Sequence, residues 1–104
     1  MQIRMTRNER VGQDEFVVSD DSDWGLFDAI ASSLESHLQG SWTAQLDGLD
    51  QRYWDLRVGD AVITLHLEHY LGIMLFVAHK APDCTASQTL LENAINHLSS
   101  FEPA

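Results

Sequence analysis

"TLHLEHYLGIMLF", residues 64–76, sets two histidines and a glutamate inside an otherwise apolar run, and its conformation decides how the rest of the chain is read. A helix would bring His66 and His69 onto one face as a metal-binding pair, whereas a strand would send them to opposite faces. The strand is the consistent reading. Ile63, Leu65 and Leu67 alternate with Thr64, His66 and Glu68, and residues 70–72 supply a turn before a second apolar run over residues 73–79. His69 then falls with Leu65 and Leu67 unless a bulge near Tyr70 re-aims it. No thiolate stands near to complete a zinc set, so neither a metal site nor a cofactor is expected.

Working outward, the same period of two appears in Trp42, Ala44 and Leu46, and again in Trp54, Leu56 and Val58, with "DGLDQ" and "VGD" as interruptions. These are successive antiparallel strands, the "VGD" break being short enough for a tight hairpin, and together they form a meander of four. Upstream the period lengthens: Phe27, Ile30, Ala31, Leu34 and Leu38 mark one face of a helix that begins near Trp24. Ser22 or Asp23 can cap its free amides, and Gly40 can take the left-handed conformation that stops it. "EFVVSD" ahead of that helix holds a short strand over residues 16–19. Beyond Pro82 and Asp83, helical spacing returns at Leu90, Leu91, Ala94, Ile95, Leu98 and Phe101, and Thr85 with Gln88 has the capping-box spacing that starts a second helix near residue 86.

The order β-α-β-β-β-β-α predicts an α+β fold: a two-layer sandwich in which an antiparallel sheet of four to five strands carries both helices on one face. Residues 14–104 form one domain, since 104 residues leave no room for two self-sufficient cores. Residues 1–13 are polar and poorly patterned. They read as either an N-terminal arm, flexible if nothing holds it, or a weak edge strand; the arm is the preferred reading.

Composition narrows the function classes. Sixteen acidic against six basic side chains give a net charge of -10, which disfavours nucleic acid and anionic membrane surfaces and suits a basic partner, besides keeping a small protein soluble. Arg4, Arg7 and Arg10 against Glu9 leave residues 1–10 at +2 and the remainder at -12. No apolar stretch approaches the roughly 20 residues of a membrane helix. The N-terminal residues lack the apolar centre of a secretory signal, and a single Cys84 cannot form an internal disulfide, so a cytoplasmic setting is expected.

Three constellations invite a site. "DDSDWG" resembles a calcium loop only faintly, because counting from Asp21 the sixth position is Leu26 and the twelfth Ser32, where glycine and glutamate are required. Cys84 near a helix start, with His79 close in sequence, offers a nucleophile and a base, but no orienting group or oxyanion loop is visible. The third is a sheet face. If Ile63, Leu65 and Leu67 face the helices, then Thr64, His66 and Glu68 face away beside Tyr53, Asp55 and Arg57, while the doubly apolar last strand must also leave one set outside. With Met74 and Phe76 outward, they join Tyr53, His66, Glu68 and Tyr70 in a mixed aromatic and polar patch, the composition found at interface centres, with Phe76 as its anchor. Cover by a loop or by residues 1–13 is the alternative. Trp24, Trp42 and Trp54 fall in phase with the core.

In acidity, size and the tryptophan-bearing strands "GSWTAQLDGLDQRYWDL" and "TLHLEHYLGIMLF", the chain resembles small acidic α+β proteins of bacteria, among them toxin-immunity proteins and uncharacterised single-domain families. The resemblance implies a non-enzymatic module of immunity or regulatory type that binds another protein, steered by its acidic surface. A homodimer through the same face is a close variant. The rival class is a Cys84-dependent enzyme or a small-ligand binder with a cleft between sheet and helices.

Overall fold

A computed structural model describes residues 1–102. The elements are β1 (Arg4–Asn8), β2 (Gln13–Ser19), α1 (Trp24–Leu38), β3 (Ser41–Asp47), β4 (Gln51–Val58), β5 (Ala61–Glu68), β6 (Gly72–Val77) and α2 (Cys84–Ser99). The strands form a single antiparallel sheet in the order β1-β2-β6-β5-β4-β3. Both helices pack on one of its faces.

The α+β class is as expected, but the expected sheet of four to five strands and the order β-α-β-β-β-β-α are corrected to six strands in the order β-β-α-β-β-β-β-α. The extra strand lies in the segment read as an arm. Arg4–Asn8 pairs in continuous register with Gln13–Val17, and the ion pairs Arg4–Asp20 (2.8 Å) and Arg7–Asp14 (3.0 Å) reinforce the contact. As an edge strand, exposed along most of its length, it needs no apolar alternation, so "RMTRN" carries none. Ile3, just before it, packs on the core.

The core lies between sheet and helices. Phe27, Ile30, Ala31 and Leu34 of α1 and Leu90, Leu91, Ala94 and Leu98 of α2 close over Leu56, Ile63, Leu65, Leu67, Ile73 and Leu75. Asp23 caps α1 by accepting from the amides of Gly25 (2.8 Å) and Leu26 (3.2 Å). At the other end it is Gln39, not Gly40, that takes the left-handed conformation (φ 54°). Gly40 serves close approach instead: a Cβ there would meet Leu56 Cδ1 at 2.8 Å. Asp83, rather than Thr85, caps α2, so that helix begins at Cys84. Ser87 ties it to the sheet, accepting from the Val62 amide (2.9 Å) and donating to the Asp83 carbonyl (2.7 Å).

Three irregularities shape the sheet, one of them a register slip between Val17 and Ser19 where β2 pairs with β6. The register slips between Trp42 and Ala44, so Thr43 is the extra residue of a bulge. Trp42 therefore pairs with Leu56 on the helix side while Ala44 and Leu46 pair with Asp55 and Tyr53 on the other, which corrects the unbroken alternation read for that strand. At the β5–β6 turn, Gly72 has φ +93°, and a Cβ would run into the Ser19 carbonyl oxygen; glycine lets β6 begin tight against the end of β2.

Candidate functional site

Antiparallel pairing sets cross-strand partners on the same face, and the register lines up one row of side chains across the sheet away from the helices. From β2 to β3 it reads Val17, Met74, His66, Tyr53 and Leu46. Thr64 and Phe76 stand beside it, and Arg4 continues it onto β1. Along the row exposure climbs from 5% at Val17 and Met74 and 6% at His66 to 40% at Tyr53 and 68% at Leu46. Among the described residues no helix or strand lies over this face.

Of the expected site residues, Tyr53, His66, Glu68, Met74 and Phe76 come together here. Tyr53 stacks on His66 with ring centroids 4.0 Å apart, and Phe76 meets the same imidazole edge-on at 6.1 Å. Met74 and Phe76 do point away from the helices, but they form a small buried cluster with Val17, so Phe76 does not offer the open anchor expected of it. Its flanks are covered by its neighbours, including His79 at 5.8 Å. Tyr70 stands apart in the β5–β6 turn, exposed and against His69. His66 and His69 thus have different surroundings, one under Tyr53 and the other at the turn.

The imidazole of His66 is the odd group of the site. Its Nε2 is enclosed and has no hydrogen-bond partner; Glu68 Oε2 lies 3.8 Å away, within Coulombic range but too far for a hydrogen bond. Burial holds its pKa below the ordinary histidine value, against an opposing pull from the Glu15 carboxylate. Tyr53 is shifted upward, first by burial and then by the negative charges of Glu68 and Glu15. His66 is therefore neutral near pH 7 and Tyr53 a phenol. Asp55 is occupied by the Thr64 hydroxyl (2.6 Å) and Arg57 by the Gly59 carbonyl (2.7 Å).

Glu15, Val17 and Leu46 belong to this face and were not anticipated from sequence. The β2 register would have been needed for the first two, and the Thr43 bulge for the third. Arg52, on the helix side, was also missed. Its guanidinium lies 4.3 to 4.7 Å from the ring centroids of Trp54, Phe27 and Trp24, and it donates to Asp28 (2.8 Å) and Asp47 (3.0 Å). Burial works against its charge, but the hydrogen bonds and attraction of the two carboxylates prevail and raise its pKa. Asp47 is lowered in turn by hydrogen bonds from Arg52 and Trp54. Its signal was its phase with Trp54 and Leu56. The three tryptophans gather around or next to this group, Trp42 touching Trp54 edge-on at 5.6 Å.

Cys84 and His79 line one cavity of about 430 Å³ with Asp14, Gln13 and Gln88. Among the described residues no hydrogen bond joins the thiol to the ring, and Cys84 is exposed at the start of α2. No group of three or more metal-ligating side chains occurs among them either.

The model of the family described as protein of unknown function, DUF3630, matches residues 5–93, from within β1 into α2. The chain belongs to DUF3630. No curated protein and no solved structure matches it. For this DUF3630 chain the matched span includes the N-terminal strand except Arg4, and every residue of the uncovered face from Thr6 to Phe76.

Proposed function

We propose that this protein is a non-enzymatic binding module that takes up another protein on the uncovered sheet face. The carrying observation is the row from Val17 to Leu46, apolar and aromatic at its centre and increasingly exposed toward β3. A sheet face left to water ordinarily alternates to polar residues. This one holds Met, Phe, Tyr and an unsatisfied histidine, the residue types that concentrate at interface centres. Leu49, Tyr70 and Leu71, at the two turns beside the row, extend the exposed apolar surface.

A net charge of -10 favours a basic partner and its electrostatic steering. Two copies of the chain would set like charges against each other, so a different protein suits the face better than a homodimer. The free thiol Cys84 supports a reducing, cytoplasmic setting, and no described helix is long and apolar enough to cross a membrane. An immunity or regulatory role in a bacterium is the form this reading takes from the sequence resemblance.

The test is a double variant, Leu46→Ser with Tyr53→Ser, compared with the native protein by co-purification from a lysate and by light scattering. The expected outcome is a retained melting transition with loss of the captured partner. A self-associated native protein dispersed by the variant would turn the reading to the homodimer. Capture undiminished by the double substitution would overturn the face as the binding surface.

A further inference from the structure

We infer that the partner docks as a strand: an extended segment with alternating lysine or arginine adds to the free edge of β3 at Ala44–Asp47. This deepens the protein-binding reading above and rests on it. The two edges of the sheet differ in how they treat their unpaired backbone groups. β1 carries Arg4 and Arg7, each held in an ion pair, and charge on an edge discourages strand addition. β3 carries no charge from Ser41 to Leu46, and five of its seven residues are exposed, Trp42 and Ala44 being half-buried. Its one irregularity, the Thr43 bulge, lies near the beginning and leaves Ala44–Asp47 in unbroken register with β4.

The chemistry of the occupant follows from what borders that edge. Residues 41–58 hold Asp47, Asp50 and Asp55 against two cations: Arg52, which is buried and already shared between Asp47 and Asp28, and Arg57, which lies across from Ser41 at the far end of β3 and is paired with Asp60. An incoming strand therefore meets uncompensated negative charge. On the open face its alternate side chains would lie beside Ala44, Leu46 and Tyr53, an apolar surface; on the other they would lie beside Gln45 and Asp47. Alternating apolar and basic residues satisfy both sides, main-chain hydrogen bonds supplying affinity and the side chains selectivity. A second copy of β3 would instead bring another Asp47 to the same seam.

The test uses isotope-labelled native protein and a capped octapeptide alternating lysine and valine, with a glutamate–valine octapeptide as control. Amide hydrogen exchange and chemical shifts are read residue by residue. The expected result is exchange slowed about tenfold at the outward-pointing amides of Ala44–Asp47, with β1 unchanged and the glutamate peptide inert. No slowing at Ala44–Asp47, or equal slowing by the glutamate peptide, would overturn the inference. Shifts confined to Tyr53, His66 and Glu68 would overturn strand addition and leave the face reading standing. Slowing at β3 without any shift at Tyr53 or His66 would do the reverse.

Discussion

Arg52 and His66 are both polar side chains buried among aromatic rings, one on each face of the same sheet, and their surroundings are opposite in kind. Arg52 has three rings around its guanidinium and two carboxylates to satisfy it. His66 has Tyr53 and Phe76 around its ring and no hydrogen-bond partner at Nε2. A buried polar group with all its partners fixes structure; one left unsatisfied works against stability. The first clamps the β3–β4 hairpin to α1 through Asp47 and Asp28. The second leaves a ring nitrogen unsatisfied beneath Tyr53, on the face that the helices do not cover.

Substitutions can break or sharpen this contrast. Arg52→Ala should have the largest effect, a loss of about 3 kcal/mol, because it removes packing against three rings together with two charge-assisted bonds. Arg52→Lys should recover only part of it, since an ammonium cannot reproduce the planar fork. Urea denaturation of both variants checks this. His66→Leu should go the other way, raising stability by roughly 1 kcal/mol by removing an unsatisfied buried donor or acceptor at similar volume. A loss of the size seen for Arg52→Ala would mean that His66 is as structural as its counterpart.

Acid should separate the two sites as well. His66 and His97 both have lowered pKa values, each chiefly by burial and His97 also by the stacked His37. The unfolded chain takes up these protons near pH 6.5, before the folded chain does. Stability contributed by these groups is therefore present above that pH, falls as pH drops through it, and levels off below the folded pKa values. Denaturation midpoints between about pH 8 and about pH 5 should fall less steeply in His66→Leu than in the native protein. Asp47, lowered by Arg52 and Trp54, adds a separate loss only as pH falls through the carboxylate range. The smallest effect is expected at the exposed end of the row, where Leu46→Ser should change stability by no more than about 0.5 kcal/mol.

The helices and the central strands were legible because burial on one side imposes a period, as Phe27 to Leu34 and Ile63 to Leu67 demonstrate. Where burial does not impose a pattern, the sequence is mute. Edge strand β1 is exposed and so carries no alternation. The Thr43 bulge shifts the phase of β3 by one residue without a marker in the sequence. Asp83 and Thr85 are both competent caps, and only the chain path decides between them. For the face, alternation from Ile63 and Ile73 was enough to collect Tyr53, His66, Glu68, Met74 and Phe76. It could not reveal that Phe76 is closed over by its neighbours, because that depends on the packing of side chains within one layer. Arg52 was hidden for a related reason: its phase places it inside, but only the positions of Asp28 and Asp47 make a buried guanidinium tolerable.

The claim that the uncovered face is the binding surface is tested most directly by a photo-crosslinking side chain at Tyr53, with one at exposed Thr89 on α2 as the comparison, each irradiated in cells producing the protein. A discrete adduct with a basic protein, formed from position 53 and absent from position 89, is the predicted result. Adducts from position 89 alone, or none from 53 while 89 yields one, would contradict the account and move the interface to the helical layer.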